Sequence, residues 1–393
     1  MISFEEAVET VLRHAKPLPA EKVRIEEAVG RALLEDVHSG MDMPPFNKSA
    51  VDGYAVRAVD LGGDRELRRT GLIQAGETFK GKVRAGECVK IMTGAPVPAG
   101  ADAVVMVEYA CERDGMVKFE KGAMKGANIA MRAEDIKKGR KILSRGTVIN
   151  ISHIAALAAV GRGHVKTGAL PEVSLINTGG EIVPPGAKLA GNRIYNSNGP
   201  MLAAMLNSDN IRAVPVIVRD DMKKMKAALA QALKADIALI SGGVSMGDYD
   251  LVPAALKSLG VKEVFHKVRV RPGKPMFFGV KGRTLVFGIP GNPVANFLAY
   301  LAYVRPAIRK MGGRPDFAPE FKTGTCVVKF EPNTPRKALV LAAVRERVEY
   351  SLAEVSNNGS ADILALAAAN GFTVVKEGGS LRKNDKAKFI SWL

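Results

Sequence analysis

The sequence predicts a multidomain α/β protein: a central three-layer α/β/α domain with a mainly parallel sheet, a helical linker domain and two β-rich domains. Three observations carry this. The chain has 393 residues, too many for one compact core. Between 171 and 311, short β-branched runs alternate with amphipathic helical stretches, the pattern of a mainly parallel sheet covered by helices. On either side, at 43–143 and 317–393, short apolar pieces are broken by Gly, Pro, Asp and Asn turns, which reads as β structure.

In chain order, Ser3-Phe4-Glu5-Glu6 reads as a capping box, and Phe4, Ala7, Val8, Val11 and Leu12 share one helical face until Pro17-Leu18-Pro19 ends the helix. A second helix-like stretch covers 25–37, and 152–160 is helical again. The expected domains are 1–42 with 140–168 (helical), 43–139 (an inserted β-rich domain), 169–312 (α/β) and 313–393 (C-terminal β). Within the α/β segment, strands are expected at 173–176, 213–218, 237–241, 261–265 and 284–287. Helices are expected at 199–206, 222–234, 251–259 and 293–309.

Composition narrows the function classes. Hydrophobic residues make up 47% and charged residues 25%, as in an ordinary globular protein. The net charge of +17 attracts anionic ligands. The basic residues are dispersed, and no aromatic residues interleave with them as a nucleic-acid stacking platform requires, so no nucleic-acid partner is expected. The three cysteines, Cys88, Cys111 and Cys326, are far apart and unpaired in motif, which argues against a disulfide framework or a structural zinc site. Apolar runs such as 154–160 and 297–304 are too short to span a bilayer. The acidic, amphipathic start is unlike a signal peptide, so a reducing, cytoplasmic setting is expected.

Parallel sheets bind ligands beyond the carboxyl ends of their strands, and the polar residues collect there. The strand starting at 173 runs into Asn177-Thr178-Gly179-Gly180-Glu181, and the strand starting at 213 into Arg219-Asp220-Asp221. The strand at 237–241 runs into Gly242-Gly243-Val244-Ser245-Met246-Gly247-Asp248-Tyr249-Asp250, and the strand at 284–287 into Gly288-Ile289-Pro290-Gly291-Asn292-Pro293. Glycines allow close backbone approach and expose N–H groups to an oxyanion. Carboxylates beside a phosphate suggest a bridging Mg²⁺ held by one or two of them, with Glu181, Asp220 or Asp221, and Asp250 at these strand ends. Lys267, Arg271 and Lys274 would add positive charge from the next loop. Taken singly, Asp220 or Asp221 and Asp250 read better as helix caps, and neither Thr178-Gly179-Gly180 nor Ser241-Gly242-Gly243 matches a Walker loop or a dinucleotide fingerprint. The convergence of four strand ends favours a site.

The chain resembles the molybdopterin molybdotransferases, also called molybdenum insertases, which include the C-terminal enzymatic region of gephyrin. The resemblance rests on Pro45-Phe46-Asn47-Lys48-Ser49-Ala50-Val51-Asp52-Gly53-Tyr54-Ala55, Ile91-Met92-Thr93-Gly94-Ala95-Pro96-Val97-Pro98 and Glu134-Asp135-Ile136 in the front half. Further on it rests on Ser241-Gly242-Gly243-Val244-Ser245-Met246-Gly247, Pro272-Gly273-Lys274-Pro275 and Pro290-Gly291-Asn292-Pro293-Val294. It implies an elongated homodimer that inserts molybdate into adenylylated molybdopterin with Mg²⁺-dependent hydrolysis of the phosphoanhydride and release of AMP. A molybdopterin adenylyltransferase is the implied candidate partner. By motif, Asp52, Thr93, Asp135, Glu181, Asp220 and Asp250 take the catalytic acidic and hydroxyl positions. Ser241, Gly242, Gly243, Ser245, Lys267, Arg271, Lys274, Pro290, Pro293, Arg336 and Ser360 take the substrate-binding ones. Because the front-half motifs lie far in sequence from the α/β site, the resemblance implies that a partner subunit closes over it.

Four positions depart from the family pattern: Ala133 replaces Gly, Gly180 replaces Asp, Arg271 replaces Lys and Ala295 replaces Ser. Arg271 keeps charge with a different geometry. Ala295 removes a hydroxyl expected to meet the oxyanion, which opens tungstate as an alternative to molybdate. Competing readings are an enzyme that only adenylylates molybdopterin or acts on nicotinamide nucleotides, and a non-catalytic molybdopterin-binding scaffold. The front-half motifs oppose the first two, and the retained carboxylates oppose the last.

Overall fold

The computed structural model describes residues 1–62, 65–244 and 251–392. The described chain divides into two compact units. One comprises Met1–Glu35, Gly146–Asn150 and His164–Leu393, and the other Asp36–Arg145 and Ile151–Gly163.

In the larger unit, β1 (Val173–Thr178), β2 (Pro215–Val218), β3 (Ile237–Ser241), β4 (Lys262–His266), β5 (Phe277–Lys281) and β6 (Thr284–Ile289) form a six-stranded sheet in the order β2-β1-β3-β6-β5-β4. β1, β2, β3 and β6 run parallel, and β5 is antiparallel to both its neighbours. Side chains alternate between the two faces, as the period-2 geometry of a strand requires. Leu239, Leu285, Phe287 and Ile289 pack on one face with Leu202 and Leu206 of helix Asn198–Ser208 and with the N-terminal helix Phe4–His14. Ala238, Ile240 and Val286 pack on the other with Met225 and Leu229 of helix Met222–Ala232 and with Val252 and Leu256 of helix Leu251–Ser258. The three-layer expectation holds.

Two local expectations do not. Strand β5 went unread because its Phe277-Phe278-Gly279 run lacks alternation; both faces of this strand are buried. Residues 25–37 form only a short 3-10 turn, Ile25–Glu27, rather than a helix. Gly30 adopts a left-handed conformation there, and the backbone pairs elsewhere: Gly30 N–H donates to the Ile149 carbonyl at 2.8 Å and Leu33 N–H to Thr147 at 2.9 Å. Tertiary pairing overrides a weak helical preference.

The expected helix at 293–309 runs from Pro293 to Met311, with a π-helical segment at Tyr300–Val304 between two α-helical parts. Pro306 has no N–H to donate, so the regular ladder cannot continue through it, and the wider turn takes up the break.

The C-terminal strands of the same unit close into a five-stranded ring. Lys337–Glu346 pairs with Tyr350–Glu354 and with Gly371–Val375, while Lys322–Cys326 and Lys386–Ser391 complete the circuit. Phe330, Leu352, Val375 and Phe389 fill its core. The two-residue strand Val270–Arg271 pairs in parallel with Lys337 and Ala338. This pairing carries the loop after β4 onto the C-terminal sheet.

In the smaller unit, strands Ala103–Met106, Gly53–Val56, Glu87–Ile91, Glu66–Ile73, Met116–Phe119 and Ala110–Arg113 lie side by side in that order. Tyr54, Val56 and Cys88 pack on one face, and Ala55, Val89 and Ile91 on the other. A side chain at Gly53 would bring Cβ within 2.0 Å of the Val105 carbonyl oxygen, so close strand pairing alone accounts for glycine after Asp52.

Candidate active site

A cleft of about 570 Å³ opens at the carboxyl ends of β1, β2, β3 and β6. Its lining includes Asn177, Thr178, Glu181, Asn198, Asp220, Ser241, Gly242, Gly243, Pro290 and Pro293. The question of which aspartate caps the following helix is resolved by geometry. Asp221 is the N-cap, accepting the Lys224 N–H at 2.8 Å, while Asp220 faces the cleft and accepts the Gly180 N–H on Oδ2 at 2.8 Å. Asp220 and Glu181 are exposed carboxylates on the cleft wall. No lysine or arginine is among its lining residues.

The two glycines after β3 have a packing reason. Both have positive φ, and Cβ atoms on Gly242 and Gly243 would come within 2.9 and 2.7 Å of Thr178 oxygens. They allow the β3 turn to lie against the end of β1, and so open the cleft between the two strand ends. Beneath them sits a layer of asparagines. Asn296, fully buried, donates from Nδ2 to Ser241 Oγ at 2.8 Å and to the Pro290 carbonyl at 2.9 Å. Asn198 Nδ2 reaches the Gly291 carbonyl at 2.6 Å. These bonds fix the Pro290–Pro293 turn over the cleft.

Pro275, Pro290 and Asn292 also line a second cleft, of about 640 Å³, which runs on to the C-terminal ring. Its charged lining residues are Arg271, Arg336 and Glu354. Arg336 Nη1 donates to the Val270 carbonyl at 3.1 Å, and Arg271 Nη1 to the Asn333 carbonyl at 3.1 Å. The short Val270–Arg271 strand thus brings the two guanidinium groups to one wall. Ser360 Oγ accepts from Asn292 Nδ2 at 2.8 Å, and its carbonyl accepts the Val294 N–H at 3.0 Å, tying the ring to the α/β sheet. Ala295 presents a methyl to this cleft. Burial and the neighbouring Glu331 carboxylate push the Glu354 carboxyl above its ordinary value, against a lowering backbone hydrogen bond at Glu331.

Lys267 and Lys274 were expected in the same basic group, but neither is among the lining residues of either cleft. Their backbones shape the loop. Lys267 has φ +79° and donates to the Met276 carbonyl at 2.9 Å, and the Lys274 carbonyl accepts from Val268 and Met276. Ser245 and Asp250 lie outside the described residues. Among the described residues no group of three or more His, Cys, Asp or Glu side chains is arranged to hold a metal.

The remaining expected residues belong to the smaller unit. Asp52 Oδ1 accepts both the Thr93 N–H at 2.7 Å and the Thr93 hydroxyl at 2.8 Å. Those two bonds, the backbone one first, hold the Asp52 carboxyl below its ordinary value. Asp135 is exposed, its N–H on the Met43 carbonyl at 3.0 Å. Asn198, Asn296 and Glu354 were missed in the sequence, while Asn292 was read only as part of the Pro290–Pro293 turn. Asn196-Ser197-Asn198-Gly199-Pro200 carried a turn signal, but Asn296 and Glu354 carried none.

Comparison with known proteins agrees with this architecture. Residues 2–161 match the family described as the MoeA N-terminal region (domain I and II), and residues 175–310 match one described as a probable molybdopterin binding domain. A molybdopterin molybdenumtransferase of Staphylococcus aureus is 33% identical over 96% of this chain and 92% of its own length. The Staphylococcus epidermidis protein of the same name is 31% identical with the same coverage. The molybdopterin biosynthesis moeA protein of Pyrococcus horikoshii superposes with a TM-score of 0.80 at 30% identity, over 100% of this chain and 99% of that one.

Proposed function

The chain belongs to the molybdopterin molybdenumtransferase family, and on that premise we propose that it inserts molybdate into adenylylated molybdopterin, with hydrolysis of the phosphoanhydride and release of AMP. One observation carries the reading: the two ends of the groove differ in charge. Glu181 and Asp220 are the charged residues lining the end at the β strands, whereas Arg271 and Arg336 outnumber Glu354 at the C-terminal ring, and Pro275, Pro290 and Asn292 join the two ends.

The basic end suits a tetrahedral oxyanion, because arginine presents paired N–H donors in a fixed fork. Arg271 and Arg336 are held by backbone carbonyls on one wall and retain further donors for the oxyanion. The acidic end suits the anhydride only with a cation. Two carboxylates fit Mg²⁺, which commonly takes one or two from the protein and fills its shell with water and substrate phosphate. Glu181 and Asp220 would hold it, with Asp250 as a further ligand. Bound there, Mg²⁺ neutralises charge gathering on the leaving AMP phosphate. The Gly180 N–H on Oδ2 holds Asp220 at the cleft wall, where its carboxylate would serve this role. The turn from Pro290 to Pro293, anchored by Asn198 and Asn296, orients the substrate between the two ends. We assign Asp52, Thr93 and Asp135 to the same reaction as the family's acidic and hydroxyl positions.

The same reading includes a homodimer, a molybdopterin adenylyltransferase as substrate donor, and a cytoplasmic setting. Light scattering should return about twice the 41.9 kDa chain mass. The decisive experiment supplies purified protein with adenylylated molybdopterin, Mg²⁺ and either molybdate or tungstate, and follows AMP release and cofactor formation. Absence of AMP release with both oxyanions refutes the reading. Release with tungstate alone would assign the Ala295 methyl to a different oxyanion preference.

A further inference from the structure

Away from the groove, a small cavity of about 50 Å³ lies where the turn at Gly30 and Arg31, the turn at 208–210 and the C-terminal end of helix Arg305–Met311 meet. Three arginines face it, Arg31, Arg309 and Arg314, with one carboxylate, Asp209. Charge pairing around it is incomplete. Arg31 pairs with Glu21, Arg314 with Asp316, and Arg305 with Asp209 at 2.8 Å. Asp209, whose side chain is 8% exposed, also accepts the Tyr300 hydroxyl at 2.7 Å on the same oxygen that Arg305 uses.

That leaves Arg309. Its Nε is buried with no hydrogen-bond partner, and among the described residues no ion pair takes up its guanidinium. The Arg31 Nε, beside the same cavity, is likewise buried and unpartnered. Burial weakens the hold of Arg309 on its proton, with Arg314 next in effect, while Asp209 and Asp316 offset this from a distance. The helix carbonyls around Arg309 carry partial negative charge, which compensates only a fraction of a unit. Four arginines against three carboxylates leave one positive charge over. A half-buried cation without a counterion is still costly, so the local chemistry calls for an anion.

We infer that this cavity is a second, structural oxyanion site, taking a small tetrahedral anion of the phosphate, sulfate or molybdate class. Its volume is several times the roughly 10–15 Å³ that a single water needs. The anion meets the guanidinium groups that line the cavity, supplies the missing charge, and ties the Gly30 turn to the end of the long helix.

The test uses the full chain carrying both Arg271→Ala and Arg336→Ala, which together remove the two guanidiniums from the groove wall. Melting temperature is followed against phosphate, sulfate and molybdate, with ionic strength held constant by sodium chloride. The parent should show a saturable rise, and the oxyanion with the lowest half-saturation is the preferred occupant. Arg309→Met should abolish the rise and melt no lower than the parent without oxyanion. A persisting rise, a parent with no rise, or an equal response to chloride overturns the inference, as does Arg309→Met melting lower in oxyanion-free buffer. Should Arg309→Met fail to fold, Arg309→Lys keeps the charge without the fork. Its half-saturation should then rise at least tenfold, and an unchanged value overturns the inference.

Discussion

Asn296 is the residue on which the shape of the groove depends most. It sits fully buried in helix Pro293–Ala299 and donates two hydrogen bonds, to Ser241 Oγ and to the Pro290 carbonyl, while its own Oδ1 has no partner. Asn296→Ala removes both donated bonds, each worth about 1 kcal/mol net, and strands the Pro290 carbonyl at a further cost of about 1 kcal/mol. Deleting the unpartnered Oδ1 returns part of that. The expected loss is therefore about 2 kcal/mol, or roughly 4–8 °C in melting temperature for a unit of this size. Asn296→Asp should be worse than alanine, because a carboxylate cannot donate either bond and buries a charge. The functional readout is the split between KM and kcat. Loosening the Pro290–Pro293 turn should raise KM for adenylylated molybdopterin more than it lowers kcat. Thermal melts and steady-state AMP release check both parts. An alanine variant within about 0.5 kcal/mol of wild type, or an aspartate variant more stable than alanine, would refute the assignment of these bonds as the anchor of the turn.

The neighbouring aspartates should separate cleanly. Asp221→Ala loses a helix cap, costing about 1 kcal/mol with little change in AMP release. Asp220→Asn should keep its melting temperature and lose more than tenfold in Mg²⁺-dependent AMP release, and the opposite pattern would exchange the two assignments. Arg336→Ala should raise the half-saturating molybdate concentration at least tenfold in AMP-release assays while leaving half-saturation for adenylylated molybdopterin nearly unchanged. Glu354 has a folded-state pKa above its ordinary value of 4.5, so its contribution to stability is fully present below the unfolded pKa and is lost as pH rises through the folded one. Glu354→Gln should therefore gain in melting temperature over wild type as pH is raised from about 4 to 7, and a gain that shrinks over that range would reverse the sign of the shift.

How much of this was legible in the sequence follows from what each signal depends on. The alternation of strands and helices between 171 and 311 is local, and a parallel sheet then has one end where loops converge. The acidic and glycine-rich end of the groove was readable for that reason. Asp220 and Asp221 could not be told apart, since both follow the same strand and only the φ and ψ of the turn decide which reaches back to the helix. Residues 25–37 misled because Ile25, Ala28, Ala32 and Leu33 share a helical spacing and all are buried, yet only one 3-10 turn forms at Ile25–Glu27, and from Gly30 the backbone pairs with 147–149 and 166.

The basic end was legible in part only. Arg271 was read as a cation of the loop beyond the strand ends, whereas Arg336 and Ser360 followed from motif resemblance; none of the three came from periodicity. What places Arg271 beside Arg336 is the pairing of Val270 with Lys337, a contact between segments far apart in the chain. Asn296 shows the limit most plainly. Within helix 293–311 it occupies a position that periodicity assigns to a buried face, and periodicity alone would ask for an apolar residue there. A polar side chain at a buried helical position must find partners or pay a desolvation cost. Its presence says that something polar lies beneath, and only the fold reveals that this is the end of β3 and the turn after β6. The general consequence is that the polar edges of such a cleft are visible in sequence as exceptions to strand chemistry, whereas its anchors appear as exceptions to core chemistry, and the second kind acquires meaning only when the packing partner is known.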